Sequence, residues 1–184
     1  QDVHFNANAK RITCVLLPNR ACVWDAGNGT MIGPGVQFDG DIVSASFDAD
    51  GKKAVVTTHH ATSAQLWDMD SGRMIADSLE HFGAVDSAQF SPDGKSIATG
   101  SRDGITKVWN FFGSPPSSVR ITTTQTNDNF DSVRFHHDGN RLLLASGIDK
   151  EGRLLSEYGT VQIWNSEKAV ALTPIMQHAS GLRF

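Results

Sequence analysis

The sequence predicts an all-β fold made of four tandem copies of one four-stranded antiparallel unit. Three observations predict it. The four tryptophans, Trp24, Trp67, Trp109 and Trp164, stand 43, 42 and 55 residues apart, and each is followed by Asp or Asn (Asp25, Asp68, Asn110, Asn165). Each tryptophan closes a short alternating run, such as Ala64-Gln65-Leu66 or Thr106-Lys107-Val108, with the strand period of two. Each unit also holds a phenylalanine followed by a turn: Phe5 before 6–10, Phe47 before 48–52, Phe90 before 91–95 and Phe135 before 136–140. Phe5 to Trp24 and Phe90 to Trp109 are both 19 residues, so those units align without a gap.

Taken in order, unit one covers 1–38, with strands over 3–6, 12–17, 21–25 and 31–36 and a turn at Pro18-Asn19-Arg20. Unit two covers 39–82, with strands over 54–58, 64–68 and 74–78, the loop His59-His60-Ala61-Thr62 and the turn Asp70-Ser71-Gly72-Arg73. Unit three, 83–128, is the clearest. In Pro92-Asp93-Gly94 the proline presets φ, the aspartate bonds its own backbone and the glycine takes positive φ. A second turn follows at Arg102-Asp103-Gly104. After Trp109 comes Phe111-Phe112-Gly113-Ser114-Pro115-Pro116, then a strand over 118–123. At least one of the two phenylalanines is expected to face outward or cover a sheet edge, because strand neighbours point to opposite faces. Unit four, 129–178, has a strand over 142–146. Phe135 to Trp164 is 29 residues, which places an insertion between Asp149 and Gly159. Residues 179–184 are expected to begin a further unit.

These motifs, with His81 ahead of the third unit, resemble the WD-repeat (WD40) family over nearly the whole chain. Two phrases, Gly29-Thr30-Met31-Ile32-Gly33-Pro34 and Ser71-Gly72-Arg73-Met74-Ile75, are similar to bacterial members. The resemblance implies a β-propeller: four four-stranded antiparallel blades arranged radially, as a partial ring or half of a ring. Such units need neighbours to bury their faces. The expectation is therefore a piece of a longer propeller, to which the missing starting Met points, or a homodimer closing an eight-bladed ring. The resemblance also implies a buried hydrogen-bond chain of His81, Thr99 (with Ser101 on the same face), Asp103 and Trp109, with Trp109 buried. The other units depart from it. Unit one has Cys14 and Pro18 at the Thr and Asp positions. Unit two has Phe38 and Ala61 at the His and Asp positions but keeps Thr57. Unit four has Thr126 at the His position, with Ser146 and Asp149 displaced by the insertion. The chain is read as a structural device, so no catalytic residue, cofactor or metal site is expected.

Composition narrows the partners. A net charge of −4 argues against a nucleic-acid face. No apolar run approaches the roughly 20 residues of a bilayer span, and there is no signal-peptide pattern; a cytoplasmic location is expected. Cys14 and Cys22 would face each other across one hairpin. They read either as a cross-strand disulfide or as two small buried thiols, and the second is favoured because two cysteines make no framework. His59-His60 and His136-His137 read as solvated turns. Asp48, Asp50, Asp93 and Asp138 read as turn-bonding residues.

Fold does not fix function. The resemblance implies a non-catalytic scaffold for protein or peptide partners; the alternative is a regulatory or sensor propeller domain of a larger multidomain enzyme. Within each unit the loop between strands two and three shares an end with the connection to the next unit. Loops on a rigid scaffold are where binding residues concentrate. That selects Arg20, His59, His60 and Arg102. It also selects Lys150, Arg153, Leu154 and Tyr158 of the insertion, which reads equally as a longer solvated hairpin.

Overall fold

The alternating runs become strands that pair antiparallel with their chain neighbours and fall into four separate sheets. The computed structural model describes residues 2–6, 8–16, 18–110, 117–122, 130–146 and 159–178. Sheet one is β1 (Asp2–Phe5), β2 (Arg11–Leu16), β3 (Arg20–Asp25) and β4 (Met31–Gln37). Sheet two is β5 (Ile42–Phe47), β6 (Lys53–Thr58), β7 (Ser63–Asp68) and β8 (Arg73–Glu80). Sheet three is β9 (Val85–Phe90), β10 (Ser96–Ser101), β11 (Ile105–Asn110) and β12 (Ser117–Thr122). Sheet four is β13 (Phe130–Phe135), β14 (Arg141–Ser146), β15 (Gly159–Asn165), β16 (Val170–Ala171) and β17 (Met176–His178). Strand ends differ from the sequence expectation by a residue or two.

Sheet four departs from the four-stranded plan. Both β16 and β17 pair with β15, so the outer strand is split in two. Pro174 lies in the break, and proline has no N–H to give to a ladder. Thr173 bridges the gap: its Oγ1 accepts the Ile163 N–H at 3.1 Å, and its carbonyl accepts Gln162 Nε2 at 3.0 Å.

The sheets stack through apolar clusters, and period two lets one strand serve two neighbours. On β6, Ala54 and Val56 pack against Ala21, Val23 and Val36 of sheet one. Val55, between them in sequence, packs toward Val85, Phe90 and Ile97 of sheet three. Ala98, Val108 and Ile121 of sheet three meet Val133, Leu142 and Leu144 of sheet four. Polar side chains tie the innermost strands together. Ser46 Oγ accepts the Phe90 N–H at 3.2 Å, Ser87 Oγ the Val133 N–H at 3.2 Å, and Gln89 Oε1 the Phe135 N–H at 2.7 Å. On the rim, Arg11 grips Asp70 of the next sheet through both carboxylate oxygens, at 2.5 and 3.2 Å.

The arc is open. Phe5 stands opposite Ile12 as Phe90 stands opposite Ile97. Yet Phe90 is 6% exposed and Phe5 66%, because among the described residues no further sheet packs on the Phe5 side of β1 to β4. At the other end Met176 pairs with Val161 as Leu79 pairs with Ala64, and it is 44% exposed against 3%.

Cys14 and Cys22 are directly opposite across β2 and β3, buried, and free thiols. Burial, with Cys14 beside it, pushes the Cys22 thiol up. Among the described residues no helix is long and apolar enough to cross a membrane. Phe111, Phe112, Thr126, Asp149, the insertion 150–158 and the tail 179–184 lie outside the described residues.

Candidate functional site

Among the described residues, a set of interlocked polar side chains lies between sheets two and three. His81 follows β8 directly, and its N–H is fixed on the Thr62 carbonyl at 2.8 Å. Thr99 sits on β10, Trp109 on β11 and Asp103 in the turn between them. Trp109 Nε1 donates to Thr99 Oγ1 at 2.9 Å. Thr99 Oγ1 lies 2.7 Å from His81 Nε2, and His81 Nδ1 lies 3.1 Å from Asp103 Oδ2. The bonding pattern assigns the protons. A carboxylate only accepts, so Nδ1 carries the proton; Nε2 is then an acceptor for the Thr99 hydroxyl, which in turn accepts from Trp109. Neutral His81 satisfies every member.

Asp103 is the hub. Its Oδ2 also accepts the Phe82 N–H at 3.0 Å, and its Oδ1 the Ile105 N–H at 2.9 Å. Burial alone would raise this carboxyl, but the Phe82 amide, His81 and the Ile105 amide together hold it below the usual aspartate range. Ser101 accepts the Asp103 N–H at 3.1 Å and donates to the Gly83 carbonyl at 3.0 Å. Trp109 is partly buried rather than buried as the sequence suggests, and Lys107 Nζ lies 5.2 Å from its ring centre.

This constellation has the residue types of a nucleophilic site without the access. Thr99 is 0% exposed, as is the His81 side chain, so no substrate atom reaches the hydroxyl.

Register corrects the sequence reading of the other units. Trp109 faces Ile97, Trp67 faces Ala54 and Trp164 faces Leu142. Two residues further along the same face stand Thr99, Val56 and Leu144. The counterpart of Thr99 in unit two is therefore Val56, not Thr57, and in unit four it is Leu144, not Ser146. A shift of one residue moves a side chain to the opposite face. Thr57 lands on that other face, its hydroxyl buried without a hydrogen-bond partner. Ser146 instead bonds Thr160, Oγ to Oγ1, at 2.5 Å. Where Thr is missing, the indole finds another acceptor: Trp67 Nε1 donates to Gln65 at 3.1 Å and Trp164 Nε1 to Gln162 at 3.0 Å.

The loop residues gather at one end of the arc. Ile42 N donates to the Pro18 carbonyl, His59 N to Asp41 and Arg102 N to Ala84, so in units one to three the turn between strands two and three is bonded to a neighbouring connection. Arg20, His59, His60 and Arg102 are all exposed there. His59 and His60 touch edge to face at 4.0 Å, with His60 at a φ of +63°. Arg102 is held by Asp86 in a two-point pair at 2.7 and 3.2 Å. Lys150, Arg153, Leu154 and Tyr158 lie outside the described residues. Sequence reasoning passed over Phe82, which is 89% exposed at this end; an aromatic directly after His81, in a connection, is the signal that marks it. The inner strands line a trough of about 430 Å³ that includes His4, Ser44, Ser46, Gln89 and Arg134.

Residues 74–110 match the family described as "WD domain, G-beta repeat". In space that match begins on β8 of sheet two and ends with β11 of sheet three. One WD-repeat match thus sits at the centre of a chain whose fold is that of a β-propeller, an open arc of four sheets among the described residues. No curated protein matches it in sequence. Among solved structures it is similar to the β-propeller domain of Cps50 (Swd1) from Myceliophteria thermophila, with 14% identity and a TM-score of 0.73, over 98% of this chain and 56% of that one. It is also similar to hydrazine synthase of Kuenenia stuttgartiensis, with 15% identity and a TM-score of 0.73, over 96% of this chain and 48% of that one. The chain spans about half the length of each.

Proposed function

We propose that this chain is an arc of a non-catalytic protein-interaction scaffold. The observation that carries the reading is where its reactive side chains go. Among the described residues, the His81–Thr99–Asp103 cluster with its catalytic residue types is buried and spent on mutual hydrogen bonds, while His59, His60 and Arg102 on turns and Arg20 at the start of β3 stand exposed at one end. A rigid frame with polar and aromatic loops suits recognition. The insertion residues Lys150, Arg153, Leu154 and Tyr158 lie outside the described residues and join the proposal on strand order alone. The open apolar faces, with Phe5 at one end and Met176 at the other, take further blades, from the same longer chain or from a second copy closing an eight-bladed ring. The cytoplasm suits the free, facing thiols of Cys14 and Cys22.

The test uses the chain as bait, with light scattering on the bait itself. Shortening 150–158 to a two-residue turn should leave melting nearly unchanged and abolish capture of the protein partner that the unaltered chain retains. Undiminished capture would remove the insertion from the surface. A folded, dilution-resistant monomer would contradict the need for further blades.

A further inference from the structure

Six pairs in the chain place Asp or Asn directly before glycine: Asn28-Gly29, Asp39-Gly40, Asp50-Gly51, Asp93-Gly94, Asp103-Gly104 and Asp138-Gly139. Such a pair can cyclise on itself, because glycine has no Cβ to shield its amide nitrogen from the side-chain carbonyl carbon before it. Five of the six are locked in turns. Their glycines lie at φ between +67° and +75°. Each of those glycine N–H groups is bonded to a nearby main-chain carbonyl: Gly29 to Asp25, Gly51 to Asp48, Gly94 to Ser91, Gly104 to Ser101 and Gly139 to His136, at 2.8 to 3.1 Å. In four of them the side chain is occupied as well. Asn28 Oδ1 accepts from Thr30, Asp93 from Ser91 and Lys95, Asp103 from Phe82 and Ile105, and Asp138 from Asn140 and Arg141. Asp39-Gly40 departs from the pattern. Gly40 has a φ of +127°, both residues are exposed, and among the described residues neither the Gly40 N–H nor the Asp39 carboxylate has a hydrogen-bond partner.

The chemistry of the junction explains the departure. Asp39 follows Phe38 as Phe82 follows His81. Between sheets two and three, Asp103 Oδ2 holds the Phe82 N–H and Ser101 Oγ holds the Gly83 carbonyl, each at 3.0 Å. The matching turn of unit two, His59-His60-Ala61-Thr62, contains no carboxylate to do the same for Asp39. The connection is fixed only at its ends, with Phe38 bonded to Asn19 and Ile42 to Pro18. There is also room, since a Cβ on Gly40 would come no closer than 3.6 Å to its nearest neighbour, Thr58. We propose that Asp39-Gly40 is a site of spontaneous isoaspartate formation in the folded protein. Gly40 N bonds to Asp39 Cγ, and its proton leaves with the carboxyl hydroxyl as water, giving a cyclic imide. Water then adds back at either imide carbonyl. Opening the bond from Gly40 N to Cγ restores aspartate. Opening the bond from Gly40 N to the Asp39 main-chain carbonyl leaves Gly40 attached through Cγ and frees the main-chain carbonyl as a carboxylate. The second route threads the chain through Asp39 Cβ and so lengthens the connection between sheets one and two at the end where the exposed loops gather. The proposal does not depend on what those loops bind.

The experiment ages the full chain at neutral pH, folded in buffer and unfolded in denaturant, until the unfolded sample shows isoaspartate at position 39. Peptide mapping by mass spectrometry, with fragmentation that separates isoaspartate from aspartate, reads every pair in both samples. In the folded chain the product at 39 should exceed that at 50, 93, 103 and 138 by roughly tenfold or more, because those pairs are held away from the reacting geometry. In denaturant the Asp-Gly pairs should react at similar rates. Asp39→Asn gives a faster reading of the same geometry. The new amide should be lost well ahead of Asn28 in the folded variant and alongside it in denaturant. Because Asp39 is exposed and makes no hydrogen bond among the described residues, this variant should melt with the parent. A folded chain that keeps aspartate at 39 while the unfolded one converts would overturn the proposal. So would equal or faster conversion at any of the other Asp-Gly pairs in the folded chain, or loss of Asn28 ahead of the new amide.

Discussion

Two interfaces of the same arc solve one packing problem with opposite chemistry. Between sheets two and three, the positions behind the tryptophan hold His81 and Thr99, and the indole N–H feeds a chain that ends on Asp103. Between sheets one and two, the same positions hold Phe38 and Val56. Phe38 meets Trp67 edge to face at 5.5 Å, and the Trp67 N–H turns to Gln65. Both are closed: every member of the His81 cluster is bonded, and at the second junction the Trp67 N–H is satisfied by Gln65. The comparison teaches that the propeller does not need the polar cluster at each junction. It needs consistency within a junction, because a buried polar group costs most when half satisfied.

The largest break in that comparison is Thr99→Val. It leaves the Trp109 N–H and His81 Nε2 facing a methyl group, and each orphaned group costs about 1–3 kcal/mol. Chemical denaturation should show a loss in the upper part of that range. A loss under about 0.5 kcal/mol, the size of a neutral surface change, would mean that the cluster contributes little.

A smaller loss is expected from the reverse change, Val56→Thr, which places a hydroxyl in the apolar cluster that holds Phe38 and Met69, at about 1–2 kcal/mol. Adding Phe38→His should recover part of it by supplying an acceptor. A double-mutant cycle with no coupling between the two positions would show that the junctions are not interchangeable.

The smallest effect sharpens the register assignment. Thr57 is buried with an unpartnered hydroxyl, so Thr57→Val should be neutral or stabilising by up to about 1 kcal/mol. Were Thr57 the equivalent of Thr99, the same change would cost as much as Thr99→Val. Side-by-side unfolding midpoints decide between these outcomes.

Much of the fold was legible before any coordinates. The Trp spacing, the Phe-turn segments and the Pro92-Asp93-Gly94 turn are local signals: each depends on residues within one hairpin, so strands and turns follow from period and turn chemistry. The members of the polar cluster were legible for the same reason, since His81, Thr99, Asp103 and Trp109 keep fixed spacings inside one repeat. The counterpart of Thr99 in unit two was not. Thr57 and Val56 are neighbours, and the choice between them depends on how the Phe47 turn sets the register of β6 against β5 and β7.

The sequence by itself determined the all-β class, the repeat and the residues of the polar cluster, because these rest on contacts between near neighbours in the chain. Only the tertiary structure decided which face each residue serves: that Val56 backs Trp67, that Arg102 is occupied by Asp86, that Phe82 projects while Phe90 is buried. Those outcomes depend on one-residue register and on which sheet lies alongside, and neither leaves a mark on composition or spacing. The split of the fourth outer strand stands between the two. Pro174 announces a break in any ladder, but only the pairing of β16 and β17 with the same strand shows that the sheet continues past it.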